Sequence, residues 1–213
     1  MKYMKYIKNV LFILLLLLVL ILILFFNDKY KKKTVTIFGS VSKDISDDLN
    51  LQKDLKYLAV NLNTTKYDYV ITNSKKGPIG YILNNIKEED KSSVITTYST
   101  TFGENNMNET FKIKMFNDPV DFEEYMIENS NIFIILPGGI GTLYEITYLL
   151  FLIDVSPVNN KIIFYNKNNY YDFIDNIMKK YNKNGYLRDN VYDKYKSTTY
   201  FVDNIEDINK LIN

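Results

Sequence analysis

No cysteine, no histidine and no tryptophan occur among the 213 residues, and Arg188 is the only arginine. Without cysteine there is no disulfide and no thiolate nucleophile. With histidine missing as well, imidazole bases and the usual zinc ligands are gone. Any chemistry rests on carboxylates, lysine, tyrosine or the backbone. A charge of one sign is also missing: Lys plus Arg number 26 against 25 for Asp plus Glu. No net field draws the chain to nucleic acid, which is not an expected partner. Proline (4) and glycine (8) are scarce, which makes a local cluster of glycines informative.

What is plentiful is apolar and aromatic. Hydrophobic residues make up 46% of the chain, with 19 Tyr and 13 Phe, enough to fill a sizeable interior without tryptophan and to exclude a disordered chain. From Val10 to Phe26 every residue is apolar. As a helix this run spans about 25 Å, close to the hydrocarbon thickness of a bilayer. Residues 1–33 are therefore expected to be a membrane anchor with a basic flank. Phe25-Phe26-Asn27-Asp28 offers no small-residue cleavage site, which favours a retained anchor over a signal peptide. Lys2, Lys5 and Lys8 precede the run and Lys29, Lys31, Lys32 and Lys33 follow it. The balance leans slightly toward a single-pass protein with its domain on the cytoplasmic side. Asn63-Thr64-Thr65 and Asn108-Glu109-Thr110 form glycosylation triplets, which Asn-rich chains also produce by chance.

Residues 34–213 are expected to form one domain of alternating strands and helices. Thr34 to Phe38 reads as a first strand. Leu51, Leu55, Leu58 and Leu62 mark a helix within 44–62, with Asp44 or Ser46 as its cap. Tyr67 to Thr72 and Ser93 to Thr97 read as strands, with a short helix through Ile86 between them, and Pro119 to Asn129 reads as a helix. Ile132-Phe133-Ile134-Ile135-Leu136 is an unbroken apolar run, the pattern of a central parallel strand buried on both faces. A strand at Lys161 to Tyr165, a helix at 170–180, a strand at 199–202 and a closing helix at 204–212 complete the pattern. Such alternation predicts a Rossmann-like, doubly wound parallel sheet, preceded by the one transmembrane helix.

The chemistry concentrates directly after the central strand, in Pro137-Gly138-Gly139-Ile140-Gly141-Thr142-Leu143-Tyr144-Glu145. Gly138, Gly139 and Gly141 let the backbone turn and approach an anion closely. The amides opening the next helix face that anion, and Thr142 adds a hydroxyl, so these residues form the candidate phosphate site. Glu145 lies one turn on, at the rim of the same crevice, where it can address a ribose or a water. An ordinary first-turn helix glutamate is the plainer alternative.

This segment resembles the Pro-Gly-Gly-x-Gly-Thr-x-x-Glu signature of the LONELY GUY family, also called lysine-decarboxylase-like proteins. Phe38-Gly39-Ser40, Ser130-Asn131, Asn168-Asn169-Tyr170-Tyr171 and Gly185-Tyr186-Leu187 are similar to further landmarks of the family. The resemblance implies a homodimer that binds a nucleoside 5′-monophosphate and hydrolyses its N-glycosidic bond, with Glu145 as the catalytic carboxylate and no cofactor or metal. It also implies ligand contacts from Gly39 and Ser40, and from Gly77 and Gly80 in Gly77-Pro78-Ile79-Gly80. The chain departs from the family in two places. Phe122 and Glu123 stand where the family has an Arg-Lys pair, and Thr72-Asn73-Ser74 replaces a three-glycine loop. Lys75, Lys76, Lys112 and Lys114 are candidates for a displaced cation. Two alternatives follow: a membrane-anchored nucleotide-binding protein that has lost its chemistry, and a carrier of molybdenum cofactor. Lysine decarboxylation itself would require pyridoxal phosphate on a lysine beside an acidic partner, and no segment marks such a site.

Overall fold

The structure, a computed structural model, describes residues 13, 16–19, 32–103, 107–156 and 160–212. Backbone contacts divide the chain into Met1–Lys32 and Lys33–Asn213. Of the apolar run 10–26 only residues 13 and 16–19 are described; they are helical and exposed. The remainder of the expected membrane span lies outside the described residues. A span needs about 20 consecutive apolar helical residues, and no helix among the described residues is long and apolar enough to cross a membrane. That finding overturns the expected placement as a single-pass membrane protein with a cytoplasmic domain.

The second unit runs β1 (Lys33–Phe38), α1 (Leu49–Val60), β2 (Tyr67–Thr72), α2 (Gly77–Asn85), β3 (Val94–Ser99), β4 (Lys112–Phe116), α3 (Pro119–Glu128), β5 (Ile132–Ile135), α4 (Ile140–Val155), β6 (Lys161–Tyr165), α5 (Asp172–Lys183), α6 (Val191–Thr198), β7 (Thr199–Val202) and α7 (Ile205–Ile212). The strands form one seven-stranded sheet in the order β4-β3-β2-β1-β5-β6-β7, and every pairing is parallel. It is the Rossmann-like α/β sheet that the alternation implied.

Strand side chains alternate between two cores. Val35, Ile37, Ile132 and Ile134 pack with α1, α2 and α7 on one face. Phe38, Phe133 and Ile135 pack with α3, α4, α5 and α6 on the other. Each large apolar side chain removed from water contributes about 1.5–3 kcal/mol, which holds helices on both faces. Thr36 is one of the buried polar residues, and its hydroxyl bonds Met126 O and Ser130 Oγ. Ser130-Asn131, a family landmark, therefore staples the start of β5 to β1; Asn131 Oδ1 also accepts from Thr34 N at 3.1 Å.

Several boundaries differ from the expectations. α1 begins at Leu49 because the Asp48 carboxylate accepts from Leu51 N, while Asp44 closes an earlier turn by accepting from Ser46 N. Strand β4 and helix α6 were not expected. β4 is an edge strand whose Lys112 and Lys114 face solvent, a common guard against edge-to-edge association.

Candidate functional site

The sheet order reverses at β1 and β5. From β1 the chain winds outward through β2, β3 and β4, and from β5 it winds the other way through β6 and β7. The loops leaving two such neighbours must diverge, which opens a crevice beyond the carboxyl ends of the strands. Phe38 pairs with Ile135 at those ends. Leu136 N donates to Phe38 O at 2.9 Å and Ser40 N to Pro137 O at 3.3 Å, so the two loops are tied together at the floor of the crevice.

A pocket of about 400 Å³ lies there, lined by Gly39, Ser40, Val41, Ser42, Thr72, Asn73, Ser74, Tyr98, Ser99, Phe122, Glu123, Gly139, Ile140, Gly141, Thr142 and Glu145. Cavities of similar or greater volume occur near Asn131, Asn160 and Thr198 and along β7. The first lies at the strands' amino ends and the second along the edge strand, away from the switch point where this fold holds its ligands.

The glycines of the loop serve different ends. A Cβ on Gly138 would fall 2.2 Å from Thr142 Oγ1, so this position has no room for a side chain. A Cβ on Gly139 or Gly141 would meet nothing within 4 Å, so glycine there leaves the backbone open toward the pocket. Gly139 caps α4 with its carbonyl, which accepts from Leu143 N at 3.0 Å. The amides before Leu143 have no acceptor within the helix and carry its positive pole.

Two tyrosines fix the back of this loop. Tyr170 Oη donates to Gly138 O at 2.7 Å and Tyr171 Oη to Leu136 O at 2.6 Å. Tyr171 is held in turn by Asn166 Oδ1, which accepts from its backbone N at 2.6 Å. Burial, with Tyr170 and Glu145 nearby, pushes the Tyr171 phenol far above its ordinary range, so it remains a donor.

Gly39 and Ser40 line the pocket, whereas Gly77 and Gly80 do not. Gly77 has φ +68°, and a Cβ there would meet Ser40 O at 2.7 Å; a Cβ on Gly80 would meet the Lys75 carbonyl carbon at 2.4 Å. Gly77 lets the start of α2 press against the loop after β1, and Gly80 lets the first turn of α2 press against its own preceding residues Ser74 and Lys75. Ser40 Oγ accepts from Ser42 N at 3.3 Å and Lys43 N at 3.1 Å. In place of a three-glycine loop, Asn73 serves as a buried bracket. Its Nδ2 donates to Thr96 Oγ1 at 2.8 Å and Asn108 O at 2.9 Å, and its Oδ1 accepts from Asn108 N at 2.6 Å. Asn108 is itself buried, although Glu109 and Thr110 of the second glycosylation triplet are exposed.

Glu145 is 7% exposed on the inner side of α4, and its Oε2 has no hydrogen-bond partner. Burial, then the charge of Glu123, raise its carboxyl well above the ordinary range, and a hydrogen bond with Thr142 opposes the rise. Glu123 projects into the same pocket from α3. Its Oε2 is also buried without a partner, and burial pushes the carboxyl up to about 7. Neither lysine nor arginine appears among the described residues lining the pocket. Lys114 lies over the Tyr125 ring at 3.4 Å, Lys75, Lys76 and Lys112 are exposed outside the lining, and Arg188 pairs with Asp154 at 2.7 Å. None of the four candidate lysines for a displaced cation lines the pocket. Sequence reasoning also passed over Tyr98, Ser99 and Ser42, which single-chain spacing could not bring to the site.

A parallel sheet with a glycine loop and helix start at its switch point defines a Rossmann-like α/β protein with a small-molecule crevice. Known structures share the fold. The molybdenum cofactor carrier protein from Chlamydomonas reinhardtii has a TM-score of 0.59 at 10% identity, covering 85% of this chain and 96% of the other. The molybdenum cofactor binding protein from Rippkaea orientalis has a TM-score of 0.57 at 13% identity, covering 86% and 96%. No curated protein matches the sequence. Residues 68–211 match the family described as possible lysine decarboxylase. The chain belongs to that family, as a divergent LONELY GUY-like member.

Proposed function

We propose that the protein is a nucleoside 5′-monophosphate phosphoribohydrolase, releasing the free base and ribose 5-phosphate from AMP or a cytokinin-type nucleotide. The observation that carries this reading is the carboxylate of Glu145, buried and without a counter-charge one helical turn from the amides at the start of α4. A phosphate seated on Gly139, Gly141 and Thr142 sets the ribose toward Glu145. Water adds at C1′ while the C1′–N bond breaks; its electron pair leaves with the base, whose nitrogen takes up the proton that the water gives up. Positive charge grows on the ribose in that transition state. Ionised, Glu145 stabilises that charge more than it stabilises the neutral sugar. Tyr98 and Phe122 supply an apolar wall for the base.

A second copy of the chain fits the outer face of α4. Ile140, Tyr144 and Phe151 are 83%, 52% and 54% exposed, and Tyr170 and Phe173 continue the apolar surface. A helix that is apolar all round is normally covered, which supports a homodimer joined through this face.

The pocket's lack of lysine and arginine favours a second reading, in which the protein binds the nucleotide without cleaving it. A molybdenum cofactor carrier is supported by fold likeness alone. Incubating the full-length protein with AMP decides between cleavage and binding. Adenine and ribose 5-phosphate in equal amounts support the hydrolase, while thermal stabilisation by AMP without adenine supports the binding protein.

A further inference from the structure

Two demands conflict in the pocket. The start of α4 offers amides to an anion, while Glu123 and Glu145 line the same space, each with a buried oxygen that no protein group satisfies. A phosphate brought to the loop meets like charge wherever these carboxylates ionise, and the described lining holds no lysine or arginine to offset it. Unopposed, repulsion of this kind weakens phosphate binding.

We propose that the pocket takes a divalent cation of the Mg²⁺ or Mn²⁺ type, held between the Glu123 and Glu145 carboxylates and the phosphate of the bound nucleotide. Such an ion asks for oxygen ligands. It is commonly held by one or two carboxylates together with substrate phosphate, with water filling the remaining positions. Among the described residues no group of three or more metal-ligating side chains occurs. The ion is therefore bound weakly by the protein alone and firmly only with the nucleotide. Glu145 supplies the decisive feature: it is more than nine-tenths buried, it lines the pocket, and one of its carboxylate oxygens has no partner. Glu123, where the family carries a cation, then recruits one. The inference rests on the pocket being a nucleotide site, and it deepens that reading by naming what neutralises the phosphate.

The test is linkage in the full-length protein after EDTA treatment and dialysis. Free Mn²⁺ is followed by electron paramagnetic resonance with and without AMP, and AMP binding is followed by calorimetry with and without Mn²⁺. AMP is expected to tighten Mn²⁺ at least about tenfold, and Mn²⁺ to tighten AMP by the same factor. Glu123→Gln should lose this mutual tightening, while Glu124→Gln, on the exposed side of α3, should keep it. AMP binding that is equally tight in EDTA, or no uptake of Mn²⁺ with AMP present, overturns the proposal on the unaltered protein, whether or not the variants fold. Intact linkage in Glu123→Gln overturns it as well. Linkage without adenine release keeps the metal site and ends the hydrolase reading. Undiminished release in EDTA does the reverse.

Discussion

Glu123 and Glu145 share one pocket from facing helices, and the charge of Glu123 raises the pKa of Glu145. In the metal-free protein each costs stability when ionised. The folded pKa of Glu123, about 7, lies above its ordinary 4.5. The stability linked to this group is therefore complete below about pH 4.5, declines as the pH rises toward 7 and is lost above it, with Glu145 extending the decline upward. Urea denaturation in EDTA should show a lower midpoint at pH 8 than at pH 5. Glu123→Gln should raise stability at pH 8 by about 2 kcal/mol and flatten the profile. A wild-type midpoint that does not change with pH would count against two coupled buried carboxylates.

Two glycines separate fold from ligand. Gly138→Ala drives a methyl into Thr142 and should cost about 2 kcal/mol of stability. Gly139→Ala points into open space, so the protein should melt within about 2 °C of wild type while losing about tenfold or more in AMP affinity. Thermal melts with and without AMP check both. Equal AMP binding by Gly139→Ala would remove the phosphate from this loop.

The Asn73 bracket holds the segment before β4 against β2 and β3. Asn73→Ala strips three buried hydrogen bonds and leaves Asn108 N unpaired, so chemical denaturation should show a loss of about 2–3 kcal/mol. A loss under about 0.5 kcal/mol would mean that water replaces the side chain.

Phe151→Asp places a charge at the centre of the apolar face of α4. Sedimentation velocity should find a dimer for the wild type and a monomer for the variant, with unchanged circular dichroism. A wild-type monomer at micromolar concentration would contradict the proposed pairing.

Much of this was legible in the sequence where a residue's role is local. The apolar run of β5 needs no partner to be recognised, and the glycine loop with Glu145 reads as a unit because it spans one strand-to-helix turn. β4 escaped notice because its Lys-Ile-Lys-Met pattern belongs to an exposed edge, with little burial to mark it. α6 buries only Val191, Tyr195 and Thr198 within a polar stretch. The long-range brackets were hidden for a different reason. Asn73 is an ordinary asparagine until the fold sets Asn108 beside it. The loss of the family cation at Glu123 was visible, but that its carboxylate faces Glu145 follows only from how α3 packs.

The most direct measurement is single-turnover cleavage of AMP by wild type and Glu145→Gln at matched, saturating enzyme concentration. The account predicts adenine release by the wild type and a loss of about two or more orders of magnitude in the variant, with AMP still bound. Equal adenine release by Glu145→Gln would contradict it, because the buried carboxylate would then have no part in the chemistry.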